Sequence, residues 1–121
     1  MTNNKKTINK YFAKWIKSLG LRWWHIDVIY YHDPKDIVRE FKTDEGTVVL
    51  ANTWADWRYG KANIHINLPA FSDLPEDEIE TIVVHELVHV LVNEMREEDI
   101  DHEERVVTGL TKAFLWVREG V

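Results

Sequence analysis

Two histidines four positions apart, the first followed directly by a glutamate, stand inside an apolar run: Ile82-Val83-Val84-His85-Glu86-Leu87-Val88-His89-Val90-Leu91. On an α-helix, residues i and i+4 lie one above the other on the same face. His85 and His89 would then offer two imidazole nitrogens to one metal ion, at the roughly 2.0–2.1 Å that zinc prefers. Glu86 adjoins the first of the pair. Its carboxylate can reach a zinc-bound water without being a ligand, which is the position of a general base. The plainer alternative is a buried helix that happens to carry these residues. Such a helix would hold two imidazoles and a carboxylate among valines and leucines, which is costly without partners. The pattern therefore points to a zinc site, and to hydrolysis of peptide bonds.

Two histidines do not complete such a site, because catalytic zinc normally takes three protein ligands and leaves a place for solvent. The 121-residue chain has no cysteine, so the third ligand must be His, Asp or Glu. Glu103 is favoured, fourteen residues after His89. It shares a helical stripe with Val106, Val107, Leu110, Phe114 and Val117, and so would point back towards the motif. Glu104 lies one position round, on a less apolar stripe with Val107, Thr108, Thr111 and Leu115, and is the second candidate. His102 is the third. His25, His32 and His65 are read as structural or exposed, although an edge strand near the site could present His65 to a substrate. Trp54, Trp57 and Tyr59 fall in a connection and are candidates for lining a peptide groove.

The elements that must position these groups are legible from periodicity. Residues 1–6 read as a flexible tail, and 7–121 as a single domain. Ile8, Tyr11, Phe12, Trp15, Ile16 and Leu19 recur at helical spacing, predicting a helix over 7–19 that Gly20 stops. Residues 21–31 alternate as a strand, with Trp24, Ile26, Val28 and Tyr30 on one face. His32-Asp33-Pro34 breaks it, and a loop or short helical turn runs through Phe41 to a turn at 43–46. A second strand is expected over Thr47–Thr53, then an aromatic connection over 54–61. A third strand follows over 62–68, with Ile64, Ile66 and Leu68 inward. Its outward row, Asn63, His65 and Asn67, suits an edge strand. Pro75 and three acidic residues begin the motif helix, expected over 75–96. An acidic connection at 97–101 leads to a last helix over 102–118. The fold class is α+β: an N-terminal helix, a small three-stranded, mainly antiparallel sheet, the motif helix and a C-terminal helix.

Composition excludes little else. A formal charge of −6 and a pI near 5.5 argue against a nucleic-acid partner. No apolar run approaches membrane-spanning length, and the polar start shows no signal-peptide core, so no membrane role is expected. The absence of cysteine fits a reducing cytoplasm.

His85-Glu86-Leu87-Val88-His89, with Glu-Glu-Arg-Val-Val at 103–107, resembles the HExxH zincin metallopeptidases of the gluzincin type. In its shortness, and in having three strands before the motif helix, the chain is similar to the minimal gluzincins and to small metallopeptidases of phages and bacteria. The resemblance implies a zinc metalloendopeptidase acting on a peptide or protein. Glu86 would be catalytic, with zinc on His85, His89 and a downstream glutamate, here Glu103. It also implies a sheet edge beside the cleft, along which a peptide would run antiparallel to the strand around Ile64–Asn67. The Asn-Glu pattern that precedes the third ligand in larger gluzincins is absent. The alternative is a protein that keeps the zinc and captures a peptide or protein partner without cleaving it.

Overall fold

Residues 4–33, 35, 50–97 and 102–118 are described by the computed structural model, without the side chains of residues 96 and 97. Helix α1 (Lys5–Ser18) buries Ile8, Phe12 and Trp15, at i, i+4 and i+7. It starts at Lys5 rather than Thr7, so Asn4, Lys5 and Lys6 belong to the folded chain; residues 1–3 of the expected tail lie outside the described residues. The Asn4 amide fastens this start by donating to the backbone carbonyl of Phe71. Just past the helix, Gly20 takes φ +72°, a left-handed turn that costs glycine little.

Strands β1 (His25–Tyr31), β2 (Ala51–Asp56) and β3 (Lys61–Asn67) form one sheet in the order β1-β3-β2. Ile64 of β3 is opposite Val28 in a parallel pairing with β1, and opposite Thr53 in an antiparallel pairing with β2. The sheet is thus mixed where mainly antiparallel pairing is expected, and β3 is central rather than an edge. Alternation reports which face of a strand is buried, not how many neighbours it has. Ala62, Ile64 and Ile66 fill the core, while the row Asn63, His65 and Asn67 faces the other side of the sheet and is half-buried to buried there. The predicted inward face of β1 holds: Trp24, Ile26, Val28 and Tyr30 pack against the core.

Strand β2 begins and ends later than the predicted 47–53, so Trp54, Ala55 and Asp56 are strand rather than connection. Residues 47–49 of that expectation, the turn at 43–46, Pro34 and positions 36–41 lie outside the described residues. A 3-10 turn, Leu68–Phe71, buries Leu68 and Phe71 and leads to helix α2 (Glu76–Leu91). Pro75 stands at its cap, and Glu76, Asp77 and Glu78 occupy the first turn, at the positive end of the helix dipole. Helix α2 stops at Leu91 instead of reaching Arg96; Val92 separates it from a short helix α3 (Asn93–Glu97). The Asn93 amide donates to Val90 O at 2.6 Å, satisfying a terminal carbonyl that another turn would have used. Helix α4 spans Glu103–Arg118. Residues 98–101 of the expected acidic connection lie outside the described residues. No described helix is long and apolar enough to cross a membrane.

Helix α2 is the centre of the core. Its Ile79, Val83, Val84, Leu87, Val88 and Val90 are buried in one cluster with Ile8 and Phe12 of α1, Ile64 and Ile66 of β3, and Val107 of α4. The inward line of α4 runs through Val107 and Thr111, its two buried residues. Val117, expected on that line, is 66% exposed.

Glu80 is buried on this apolar helix. Its carboxylate accepts hydrogen bonds from Trp15 Nε1 at 2.8 Å, from Lys14 Nζ at 3.2 Å and from Arg118 Nη1. Burial alone would raise its pKa; the Trp15 and Lys14 hydrogen bonds and the field of Arg118 outweigh it and hold the carboxyl below its ordinary range. A group depressed on folding stabilises the fold above its unfolded pKa, and that contribution fades as pH falls through the lowered value. Replacing Glu80 with Gln should therefore cost about 2 kcal/mol at pH 7. In urea unfolding, the gap to wild type should close as pH drops below about 4.

Candidate metal centre

His85 and His89 stand on the same side of α2, with ring centroids 5.0 Å apart and planes at 72°. Against them comes the first turn of α4. Glu104 places one carboxylate oxygen 3.4 Å from His85 Nε2 and the other 2.8 Å from His89 Nε2. One donor atom from each of the three residues lies within 4.8 Å of the others, and among the described residues this is the group that could hold a metal ion. Two imidazoles and a carboxylate are a donor set that catalytic zinc takes in proteins, leaving a further coordination place. Closing on an ion at about 2.0–2.2 Å draws the donors nearer together. The Glu104 side chain is 71% exposed and has room to swing inward.

Glu104, the second candidate from the sequence, is the glutamate in this group; Glu103, the favoured one, is not. The reason lies in how α4 packs. Glu104 is one turn before Val107 and two before Thr111, the buried pair, so it stands at the exposed start of the line that faces α2. The stripe through Glu103, Leu110 and Phe114 is more apolar but only half-buried. Glu103 still serves the site, from the other side of the ring: its Oε2 lies 2.5 Å from His89 Nδ1. A carboxylate there makes Nδ1 the donor and leaves the Nε2 lone pair for an ion. His102, the third candidate, is exposed and outside the group. The chain enters α4 through it at φ +74°, a backbone conformation uncommon outside glycine.

Glu86 is buried, and Thr53 Oγ1 of β2 donates to its Oε1 at 2.6 Å. Burial pushes its carboxyl above the ordinary value. The Thr53 hydrogen bond and the nearby His89 and His85 pull it part of the way back, and Glu104 adds to the rise. A carboxyl raised towards neutrality suits a group that must take up a proton and give it back.

The remaining histidines lie elsewhere. His65 alternates with the core residues Ile64 and Ile66, so it faces away from α2, where its Nδ1 is hydrogen-bonded to Tyr31 Oη at 2.8 Å. Strand β3 therefore does not present it to the site. His25 is exposed beside Asp27 at 3.3 Å, and His32 is exposed. Sequence reasoning missed Thr53 and Asn93. Thr53 was legible only as an inward position of a strand whose limits were misplaced; Asn93 was hidden inside an overextended helix. No protein-family model, no curated protein and no solved structure matches the chain.

The two glutamates should separate on titration with a divalent transition-metal ion. The ion should raise the thermal midpoint of wild type, since a ligand that binds only the folded state stabilises it. Glu104→Ala should remove most of that rise. Glu103→Ala should weaken binding about 10- to 100-fold while leaving the rise attainable at higher metal.

Proposed function

We propose that the chain is a zinc-dependent peptidase. The observation that carries this reading is the convergence of His85, His89 and Glu104 beside a buried Glu86 that Thr53 holds in place. The ligands are His85, His89 and Glu104, and Glu103 orients His89 through Nδ1. When bound, zinc supplies Lewis acidity, making a water more acidic and polarising a peptide carbonyl. Glu86 takes a proton from the attacking water and returns it to the departing amine nitrogen, so that water is added across the C–N bond and the carboxylate ends as it began. Thr53 holds one oxygen of that carboxylate by its hydroxyl.

Among the described residues β2 pairs only with β3, and it packs against α2. A substrate would lie antiparallel along β2, adding its backbone to the side of that strand away from β3. This replaces the register expected around Ile64–Asn67, since those residues are paired on both sides.

Glu86→Gln should retain zinc at one ion per chain and lose hydrolysis of unstructured peptides by about 10²- to 10⁴-fold. Metal analysis and a cleavage assay on the same preparation decide the matter. A variant that cleaves as fast as wild type, or a wild-type chain without stoichiometric zinc, would end this reading. Full zinc occupancy with no cleavage would favour a protein that captures peptides without cutting them.

A further inference from the structure

A cavity of about 230 Å³ opens where the sheet ends over the last turn of α2. Three indoles line it, those of Trp23, Trp24 and Trp57, with Leu21 and Val90 among the apolar lining. Trp23 is 71% and Trp57 44% exposed, an uncommon amount of aromatic surface to leave in water. The indoles are nevertheless positioned. Trp23 and Trp24 have centroids 5.2 Å apart and planes tilted by 47°, so their faces are not spent on stacking. Trp23 lies directly on Gly60: a Cβ at that glycine would come within 3.2 Å of the ring. Trp57 is braced through its backbone, whose N–H donates to Asn93 Oδ1 at 3.2 Å.

The lining contains no lysine or arginine, and its one ionisable group is the exposed carboxylate of Glu94. Indole faces carry a negative quadrupole and attract cations lying over them. Three such faces with a carboxylate complement an organic cation. An uncharged apolar guest would use the indoles and leave Glu94 unused. We infer that this cavity is a cation-binding site for a basic side chain, the alkylammonium of lysine or the guanidinium of arginine.

Its position assigns that side chain a place in a substrate, a step that rests on the peptidase reading. Trp57 follows the last residue of β2, four residues beyond Thr53, or about 13 Å along the strand. A peptide antiparallel to β2, cut near Glu86, would carry its N-terminal residues towards Trp57. The substrates are then peptides with a basic residue a few positions before the cleaved bond.

The test uses the zinc-loaded chain with its tryptophans labelled at indole nitrogen, titrated with Nα-acetyl-lysine amide and, as the uncharged control with the same four side-chain carbons and no ammonium, Nα-acetyl-norleucine amide. The indole N–H signals of Trp23, Trp24 and Trp57 should move with the lysine derivative, at an affinity about fivefold or more above that for norleucine. Glu94→Gln should weaken binding about threefold to fivefold. Trp57→Ala, which keeps the backbone bond to Asn93, should weaken it about tenfold. Equal binding of norleucine, or no movement of these three signals, overturns the inference. Peptides carrying lysine or norleucine at successive positions before the cut separate this result from the peptidase reading. Cleavage with no preference for lysine and no indole shift sinks the cavity's assignment alone. Indole shifts with no cleavage of any peptide sink the peptidase reading and leave the cation site standing.

Discussion

Helix α2 buries polar groups among its apolar ones, and each of them has to find a partner on another element. An amide, hydroxyl or acid left unpaired in such surroundings costs roughly 2–7 kcal/mol, comparable with the net stability of a small domain. The partners are all distinct. Glu80 takes Trp15 and Lys14 from α1 and Arg118 from the end of α4. Glu86 takes Thr53 from β2, and His89 takes Glu103 and Glu104 from the start of α4. Asn93, just past the helix, takes the backbone of Trp57. Apolar burial brings these elements together without direction; the polar pairs fix their order and register. Arg118 meets α2 near its start and Glu103 near its end, so the two contacts alone set α4 antiparallel to α2.

The same arrangement gives the site its electrostatics. Glu86 is raised because the valines and leucines that build the core also exclude water from it, and Thr53 with the two histidines limits how far the rise goes. Glu80, similarly buried, is driven the opposite way because it meets an indole N–H and two cations. Two carboxylates on one helix thus diverge through their partners, one held as an anion and the other raised towards its neutral acid. This divergence is the usual physical route by which one fold supports both states.

What the sequence made legible follows from what periodicity measures. The i, i+4 pair of histidines, the inward faces of β1 and β3 and the buried side of α1 each depend on one element and one core, and each is where the spacing puts it. The errors concern relations between elements. Strand β3 alternates like an edge strand because its second face carries polar residues, yet strands pair with it on both sides. On α4, the stripes through Glu103 and Glu104 share Val107 and differ by about 100° of rotation. Counting apolar residues favours the first. Packing divides the roles: Thr111 turns inward and Val117 outward, Glu103 is held against His89 Nδ1, and Glu104 stays exposed beside the Nε2 atoms of both histidines. No sum of side-chain hydrophobicities along α4 contains the position of Glu80, which holds the far end of that helix through Arg118.

The central place of β3 has a consequence for everything on the other strand. Strand β2 hairpins onto β3 and packs against α2. Two ties join strand to helix: Thr53 to Glu86 and Trp57 to Asn93. They are four residues apart along the strand and the residue after it, and seven apart along the helix and the two residues past its end, each on the order of 10 Å. The two elements therefore run side by side in one direction, with the proposed base at one tie and the aromatic cavity at the other. A slip of β2 by one residue would turn Thr53 out of the core and Trp54 into it. It would remove the hydroxyl from Glu86 and the backbone donor from Asn93 together. Base and cavity are thus coupled through a single register, and whatever holds the β2–β3 hairpin in place keeps both at a constant separation.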